Sequence, residues 1–565
     1  MSKPFIELPS LTLKSLFEYS IKEYAEKPAV SFVGGDVMTY ADLAEEVVEV
    51  QKLLGSYGIR RGDRVALYSE NMPNWGVVYF AVTTMGAVIV PVLPDFHTSE
   101  AMHIAVHAEC KAAFVSKKLL ETMFDESQPP ALSLLVELND LGVVNDFSTP
   151  SKVDRALHQG DKVMEKLGKE SAVEEDDLAA IIYTSGTTGS SKGVMLTHKN
   201  LTFDTTASQH LVDIFPTDRF LSILPMAHTF ECTVGFLIPM LNGSSIYYIL
   251  KPPTPTVLIK AMASVKPTFM LTVPLIIEKI YKNKVQPNFE KNFIIRFLYS
   301  IPLIRRKLNA IAGEKLMETF GGELRFFGIG GAGVSPTVEK FLREAKFPYC
   351  IGYGLTETAP ILAGTNPTIT KYRAIGPALP GVELELRNQD DKGVGILWAR
   401  GPNIMKGYYK DPEKTAEVLD EEGWFNTEDI GYFDEDNYFF MSGRSKNIII
   451  GPGGENIYPE QIEATINAHH LVGDSLVFDD NGTLSARIHL DPEKLDAYFG
   501  VTSKSETKMH ENITKLLEEI REEVNTKVSS FSRIRRVIEQ REEFVKTPTK
   551  KIKRFLYVEN SKKGA

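Results

Sequence analysis

Cysteine is scarce in this sequence. The 565 residues include only three cysteines, Cys110, Cys232 and Cys350, which lie far apart and form no CxxC pair. Neither a disulfide framework nor a cysteine zinc site is therefore supported, because the number of cysteines is odd and no two are closely spaced. A reducing, cytoplasmic setting is expected. The N-terminal MSKPFIELPS agrees with it, since it lacks the basic and continuous apolar regions of a signal peptide.

Positive charge is also in deficit. Lys and Arg number 63 against 74 Asp and Glu, which gives a net charge of -11. Such a chain as a whole is not attracted to nucleic acid or anionic lipid, so no nucleic-acid partner is expected. Residues 541–565 are the exception, with eight Lys or Arg and three Glu. Weak peripheral contact of this tail with the inner surface of a membrane therefore stays open.

Unbroken hydrophobic runs of bilayer-spanning length are absent. Residues 71–94 contain no charged side chain and residues 221–250 contain only Glu231, so each stretch is long enough to resemble a membrane span. Prolines, asparagines and glycines divide both stretches into pieces shorter than about 20 apolar residues. Buried helix-turn-strand units of an enclosed core are the prediction.

The hydrophobic period alternates between helix and strand through the first half of the chain. Thr39, with Asp42 three residues later, suits a helix N-cap, and apolar side chains then recur at helical spacing up to a stop at Gly58. The strand-like RVALYSE follows, and similar helix-strand pairs recur. This βαβ pattern predicts an α/β fold with largely parallel sheets.

Residues 148–177 are polar and are predicted to form a linker or an amphipathic surface helix.

The length predicts several folding units. Near Lys446 the alternation ends, and short strands followed by a charged helix indicate a small α+β unit. We therefore predict a large N-terminal domain of layered βαβ subdomains over residues 1–445 and a small C-terminal domain over residues 446–565. The oligomeric state is not fixed by the sequence, and a homodimer stays open.

The segment YTSGTTGSSKG, residues 183–193, directly follows the apolar strand LAAII. Its glycines and hydroxyl side chains can surround a phosphate chain, and Lys192 can offset the phosphate charge. The segment is not a Walker A loop, because Lys192 follows Ser191 and precedes Gly193. It predicts a polyphosphate site of another kind.

A second glycine-rich segment, FGIGGAGVSP, formally satisfies GxGxxG with Gly328, Gly330 and Gly333. A dinucleotide site also needs an acidic residue about 20 positions later, where this chain reads PYCIGYG. A flavin or nicotinamide enzyme therefore remains the weaker interpretation.

Two further segments carry nucleotide chemistry. In GYGLTETAP, residues 352–360, a planar ring can lie against Tyr353, and the carboxylate of Glu357 suits Mg²⁺ that bridges phosphates. In NTEDIGYFDEDNYFFMSGR, Asp429 can accept hydrogen bonds from a ribose diol and Arg444 can donate to the sugar or a phosphate.

With these motifs in this order, the sequence resembles the adenylate-forming superfamily, the AMP-forming acyl-CoA synthetases. The segments at residues 183–193, 352–360 and 426–444 resemble its phosphate loop, its adenine and Mg²⁺ segment and its ribose-binding segment. KTPTKKIKR resembles the stretch with the catalytic lysine, so the match extends from about Thr39 to Arg554.

The resemblance implies a role for each matching residue. The catalytic residues it implies are Lys551, Glu357 and Thr184, with Glu357 also the metal ligand. The residues it implies for ATP or AMP binding are Thr184, Ser185, Gly186, Thr187, Thr188, Gly189, Lys192, Gly331, Ala332, Gly352, Tyr353, Gly354, Thr356, Asp429, Arg444 and Lys551. The carboxylate and thioester passage is implied to include His228, Gly453, Gly454 and Asn456. Lys446 is implied to be the hinge of a mobile C-terminal domain.

Two positions depart from the family pattern. The residue before the catalytic lysine is usually glycine and here is Lys550, which leaves the choice between Lys550 and Lys551 open. The usual proline before the loop lysine is Ser191, which keeps the hydroxyl donors of the loop.

The resemblance implies that a carboxylic acid and ATP form an acyl-adenylate and pyrophosphate, and that coenzyme A then takes the acyl group, with Mg²⁺ as the metal. The mostly apolar segment PMAHTFECTVGFLIPM has no aspartate to pair with an amino group and implies an uncharged acyl tail. GENIYPE and the apolar run through Met240 resemble the long-chain fatty acid members most, so the resemblance favours a long-chain fatty acid. Transfer to an acyl carrier protein, and activation of a medium-chain or aryl acid, remain alternatives. So does a non-catalytic nucleotide or acyl binder with the same fold.

Overall fold

Helices and strands alternate through the first two thirds of the chain, as the hydrophobic pattern predicts. The computed structural model describes residues 5–126, 132–144, 153–154, 172–185, 191–290, 293–451, 455–499, 506–547 and 551–558. The α-helices are Leu13–Tyr24, Tyr40–Ser56, Pro73–Thr84, Thr98–His107, Lys117–Glu126, His198–Ala207, Ile238–Asn242, Pro255–Val265, Pro274–Ile280, Gln286–Glu290, Phe293–Ser300, Pro302–Thr319, Pro336–Glu344, Pro412–Val418, Pro459–Asn467, Pro492–Phe499, Glu506–Asn525 and Phe555–Val558. Glu231–Leu237 and Tyr281–Val285 are π-helical.

The first large sheet has eight strands in the spatial order β16-β15-β14-β13-β11-β12-β1-β2. Its strands are β1 Pro28–Phe32, β2 Val37–Thr39, β11 Arg219–Ser222, β12 Ser245–Tyr248, β13 Phe269–Thr272, β14 Phe326–Ile329, β15 Tyr349–Gly354 and β16 Ile361–Gly364. The pairs from β1 to β15 are parallel, and the two edge strands β2 and β16 are antiparallel to their neighbours.

The second large sheet has nine strands in the order β19-β10-β9-β4-β3-β5-β6-β7-β8. Its strands are β3 Arg64–Tyr68, β4 Val88–Val92, β5 Cys110–Val115, β6 Leu134–Glu137, β7 Gly142–Val144, β8 Val153–Asp154, β9 Leu178–Ser185, β10 Ser191–Thr197 and β19 Gly407–Tyr408. The centre from β9 to β6 is parallel. The helix Pro73–Thr84 lies in the main core with these sheets, and Trp75, Tyr79 and Phe80 on it are fully buried.

Three smaller sheets complete the chain. An antiparallel sheet comprises β17 Glu383–Arg387, β18 Gly395–Arg400, β20 Phe425–Phe433 and β21 Phe439–Arg444, and a short pair comprises β22 Ile449–Ile450 and β23 Asn456–Ile457. The last sheet comprises β24 Val472–Asp480, β25 Thr483–Leu490 and β26 Arg536–Glu539. It shares a separate core with the helices Pro459–Asn467 and Glu506–Asn525, which confirms the predicted α+β character after Lys446.

Local predictions can be compared with these elements. Thr39 caps the helix Tyr40–Ser56 in a capping box with Asp42, as predicted. Residues 71–94 form the buried helix Pro73–Thr84 and strand β4, also as predicted. In the described part of the chain no helix is long and apolar enough to cross a membrane. Most of the predicted linker at residues 148–177 lies outside the described residues.

Candidate active site

A cavity of about 2130 Å³ opens where β11, β13, β14 and β15 end. Its lining includes Ser222, Val273, Gly330 and Gly354, each at or just after the carboxyl end of one of these strands. Parallel α/β sheets place their ligand sites at this edge. Most of the residues singled out in the sequence line this cavity, and together they form one candidate site.

Asp429 and Arg444 face each other across two antiparallel strands. The register of β20 and β21 pairs the two residues, and Arg444 Nε lies 3.0 Å from Asp429 Oδ1. Tyr353 OH donates a hydrogen bond of 2.6 Å to Asp429 Oδ2. Burial raises the pKa of Asp429, and Arg444 opposes that rise. Asp429 Oδ1 is buried beside Arg444 Nε and accepts no hydrogen bond of good geometry within the described chain, so it keeps capacity to accept from a ligand hydroxyl.

Glu357 lies on a single 3₁₀ turn, Thr356–Thr358, directly after β15. Tyr408 OH donates a hydrogen bond of 2.9 Å to Glu357 Oε1 and fixes the orientation of the carboxylate. The chain can turn back here only with glycine at position 354, because a Cβ there would overlap the carbonyl oxygen of Pro360. The sequence motif GYGLTETAP is therefore a tight turn that presents Glu357 to the cavity.

Three buried polar side chains hold this turn from behind. Asn403 Nδ2 donates to the carbonyl oxygens of Thr358 at 3.1 Å and Ile361 at 2.7 Å. Asp204 Oδ2 accepts from the Ile361 backbone N–H at 2.7 Å, and Thr233 Oγ1 donates to Ala359 O at 2.8 Å. These bonds satisfy buried backbone groups that strand pairing leaves over. They were not predicted from the sequence, where a polar residue within a mostly buried helix, such as Asp204, is the one available signal.

The two ends of the phosphate-loop segment, residues 183–185 and 191–193, lie on the paired strands of a hairpin. β9 and β10 are antiparallel, and their register places Lys192 opposite Thr184. Both residues line the cavity, and Lys192 Nζ lies 5.0 Å from the centre of the Tyr408 ring. Burial lowers the pKa of Lys192, and nearby Lys414 and Lys446 lower it further. Ser185 ends β9, while Gly186, Thr187, Thr188 and Gly189 lie outside the described residues.

Lys551 reaches the same cavity from the C-terminal end of the chain. Burial lowers its pKa and Arg444 lowers it further, while Asp429 and Glu357 raise it. Although protein atoms surround it, Lys551 is exposed to solvent, since it lines a cavity and is not packed in a core. Burial, with Lys551 adding to it, also lowers the pKa of His228 to about 4, so His228 is neutral near pH 7. Lys550 lies outside the described residues.

The remaining predicted residues divide into three groups. Those that line the cavity beside the motifs above are Gly331, Ala332, Gly352, Thr356 and Lys446. Lys446 lies in the 3₁₀ turn Ser445–Asn447, and its Nζ is 2.6 Å from Glu428 Oε1. Asn456 is exposed on β23 and does not line the cavity. Gly453 and Gly454 lie outside the described residues.

One wall of the cavity is apolar. It includes Leu211, Val212, Phe230, Val234 and Ile238, of which Val234 lies on the π-helical segment and Ile238 on the helix that follows it. Residues 221–250 thus contain a buried helix followed by a strand, as predicted, but the helix has a π-helical start that the sequence pattern does not indicate.

Glu231 is buried at the start of this π-helical segment. Ser222 Oγ donates to Glu231 Oε1 at 2.5 Å. Burial raises the pKa of Glu231 to about 8.

Comparison with known proteins identifies the family. The model of the family described as AMP-binding enzyme matches residues 17–409, well over half of the chain. This protein belongs to the AMP-binding enzyme family. The match includes the phosphate-loop hairpin and the Glu357 turn, and it favours the adenylate interpretation of this AMP-binding enzyme over the dinucleotide one.

Curated relatives of this AMP-binding enzyme include two proteins named for long-chain acids. Long chain acyl-CoA synthetase 7, peroxisomal, of Arabidopsis thaliana is 29% identical over 85% of this chain and 74% of its own length. Long-chain-fatty-acid–CoA ligase FadD15 of Mycobacterium bovis is 28% identical over 83% of this chain and 80% of its own.

Solved structures resemble this AMP-binding enzyme in fold. The anthranilate CoA ligase AuaEII in complex with anthranoyl-AMP has a TM-score of 0.74 at 20% identity, over 98% of this chain and 97% of its own. ATP-bound MatB of Rhodopseudomonas palustris has a TM-score of 0.72 at 23% identity, over 97% and 99% of the two chains. These likenesses confirm the predicted fold class of layered α/β sheets with a smaller C-terminal unit.

Proposed function

We propose that this AMP-binding enzyme is a long-chain-fatty-acid–CoA ligase that forms AMP. It would join a fatty acid to ATP as an acyl-adenylate with release of pyrophosphate, and would then transfer the acyl group to coenzyme A with release of AMP. One observation carries the proposal: a single cavity joins a polar end, with Lys551, Arg444, Asp429 and Glu357, to an apolar wall. The names of the curated relatives support the same activity.

The polar end suits ATP. Asp429 Oδ1, which is ion-paired with Arg444 and accepts no hydrogen bond within the described chain, is suited to accept from a ribose hydroxyl, while Tyr353 holds the other carboxylate oxygen in place. Lys192 and Thr184, side by side on the hairpin, are suited to the phosphates. Gly331 and Ala332, which line the same cavity as Tyr353 and have little or no side chain, are suited to the base.

Mg²⁺ would enter with ATP as part of the substrate. Proteins usually bind Mg²⁺ of nucleotides through one or two carboxylates and the phosphate oxygens. Glu357 supplies one such carboxylate, oriented by Tyr408, and the described residues contain no group of three or more His, Cys, Asp or Glu side chains suited to a metal. The ion would neutralise phosphate charge, so this single carboxylate fits the role.

Formation of the adenylate needs charge neutralisation more than a protein nucleophile. The fatty acid carboxylate attacks the α-phosphate of ATP, the bond to pyrophosphate breaks, and negative charge accumulates between two anions. Lys551, which lines the cavity and is influenced electrostatically by Arg444, Asp429 and Glu357, would stabilise that charge. His228, neutral near pH 7, adds no competing charge beside the carboxylate.

Transfer to coenzyme A would use a second arrangement of the C-terminal domain. Asn456 is exposed and away from the cavity while Lys551 is inside it. Rotation about Lys446, between the domains at residues 1–445 and 446–565, would exchange the two and bring the segment with Gly453, Gly454 and Asn456 to the acyl-adenylate. The thiol then attacks the acyl carbonyl, and the bond to AMP breaks.

A long-chain acid is the substrate that the cavity supports best. The cavity, which also contains the proposed ATP site, has a volume of about 2130 Å³ against roughly 300–1,000 Å³ for most small-molecule pockets, so it has room for an acyl chain beside the nucleotide. Burial of apolar chain against the apolar wall contributes about 0.8 kcal/mol per methylene group, so affinity should rise with chain length. Aryl and medium-chain acids are the second candidates, which the likeness to the anthranilate CoA ligase brings into consideration.

The test is a panel of acids assayed by pyrophosphate release with and without an acceptor thiol. Unbranched acids from acetate to stearate, with benzoate as the aryl control, are each supplied with coenzyme A or a phosphopantetheinylated carrier protein. We expect release to depend on the acid and to increase with chain length, and AMP to form with coenzyme A. Preference for benzoate would indicate an aryl acid ligase, and preference for the carrier protein would indicate a different acceptor thiol. If no acid caused pyrophosphate release, the protein would be a nucleotide binder and not a ligase.

A further inference from the structure

Two consecutive helices, Phe293–Ser300 and Pro302–Thr319, form a hairpin on the surface of the N-terminal region, which we name the helical arm. Its inner side packs into a core cluster through Tyr299, Leu308 and Leu316. Tyr299 also stacks on Phe289 and donates a hydrogen bond of 3.0 Å to Asn309 Oδ1. The arm is therefore fixed to the protein by one side.

The outer side of the arm is apolar. Phe293 is 81% exposed, Ile294 67%, Phe297 59% and Leu303 74%. Phe293 and Phe297 are four residues apart and lie on one face of their helix, and no residue of that helix is buried. Four large apolar side chains this exposed and this close in sequence mark an interaction surface.

Basic residues are frequent in and just before the helical arm. Residues 279–307 contain eight Lys or Arg and a single Glu, in a chain whose net charge is -11. Lys284, Arg296, Arg306 and Lys307 are all exposed, and none forms an ion pair with a carboxylate of the described residues. The surface therefore combines exposed apolar side chains with unneutralised positive charge.

We propose that the helical arm docks on an anionic lipid bilayer. A helix lying in the interface buries its apolar face at the headgroup boundary while its Lys and Arg side chains contact anionic headgroups, which is the combination present here. A second copy of this chain is a poorer occupant, because two arms placed face to face would bring like charges together. The C-terminal basic tail is a separate segment, and the proposal does not depend on it.

The helical arm is connected through the chain to one wall of the cavity. The helix Pro274–Ile280 lines the cavity with Pro274, Leu275 and Ile276, and it continues through the π-helical Tyr281–Val285 toward the arm. Docking would hold this wall near a bilayer, the reservoir of long-chain acids. This last link rests on the proposed function, whereas the docking surface does not.

The test is co-sedimentation of the full chain, without substrates, with vesicles of phosphatidylcholine alone or mixed with phosphatidylglycerol. One double variant, Phe297→Ser with Leu303→Ser, removes apolar contact, and another, Arg306→Gln with Lys307→Gln, removes two charges. The controls are Val106→Ser, at an exposed apolar residue elsewhere, and Lys392→Gln, at an exposed cation elsewhere. Thermal unfolding of every variant checks that it folds.

We expect the wild type and both controls to sediment with the anionic vesicles only, and less strongly as salt is raised. Loss of Arg306 and Lys307 should weaken binding on the order of thirty-fold, since each cation contributes about one kcal/mol at such a surface. The apolar double variant should weaken it at every salt concentration.

Three results would overturn the proposal: no binding of the wild type to any vesicle, equal binding of all folded variants, or a wild-type dimer that the apolar variant dissociates while vesicle binding is unaffected. Because no step uses ATP or acid, the outcome is independent of the proposed activity.

Discussion

Replacement of Asp429 by asparagine tests how the site binds nucleotide. The substitution keeps the size of the side chain and removes the charge that Arg444 and Tyr353 hold in place at 3.0 and 2.6 Å. Hydrogen bonds to a charged group contribute about 1.5–3 kcal/mol, so kcat/KM for ATP should fall by about 10- to 150-fold. Arg444 is 36% exposed, and water can replace part of its lost pairing, so stability should fall by only about 1 kcal/mol.

The assay is acid-dependent exchange of labelled pyrophosphate into ATP, measured with ATP and with dideoxy-ATP, which lacks both ribose hydroxyls. If Asp429 accepts from the ribose, the variant loses activity with ATP and changes little with the dideoxy analogue. Asp436→Asn is the matched control, because it lies between the same two strands and its side chain is 73% exposed. An equal loss with both nucleotides in Asp429→Asn would refute the ribose assignment.

Three further predictions concern a hydrogen bond, a buried carboxyl group and the hinge residue. Tyr408→Phe removes the hydrogen bond to Glu357 and should lower kcat/KM for MgATP by roughly tenfold, while Tyr409→Phe should not; equal effects would contradict the orienting role. Glu231 has a pKa raised from 4.5 to about 8, so the native protein keeps a proton that the unfolded chain loses. The stabilisation by this proton is complete below pH 4.5 and is lost as the pH rises from about 4.5 to about 8. Relative to Glu231→Gln, wild type should lose about 2–3 kcal/mol between about pH 6 and pH 8, and a parallel change in the melting temperatures of both would contradict this. Lys446→Pro should keep pyrophosphate exchange and lose thioester formation in a rapid-quench assay, whereas retained thioester formation would count against rotation at this residue.

The sequence predicts those features that depend on neighbouring residues. The capping box of Thr39 and Asp42 and the breaks in the uncharged stretches are local effects, and both appear in the structure as expected. Asp429 and Arg444 lie in one short segment, and the sequence assigns both to contacts with the sugar or a phosphate. Their direct pairing follows from the register of β20 and β21.

Features that depend on distant residues were not predicted. Asn403 supports a turn about forty positions earlier, and Asp204 contacts Ile361 across 157 positions, so no local pattern reveals either role. Lys192 was expected in a loop, yet strand pairing with Thr184 extends the hairpin to it. The basic, apolar arm was also overlooked, because a helical pattern does not tell which face remains uncovered.

The central claim is that Lys551, from the C-terminal end of the chain, serves formation of the adenylate and not transfer of its acyl group. The direct measurement compares Lys551→Ala with Lys550→Ala in the two half-reactions, pyrophosphate exchange and conversion of supplied acyl-adenylate to acyl-CoA. We predict that Lys551→Ala loses on the order of 10²- to 10³-fold in exchange and keeps acyl transfer, while Lys550→Ala keeps both. Equal losses in the two half-reactions, or a selective loss in Lys550→Ala instead, would contradict the account.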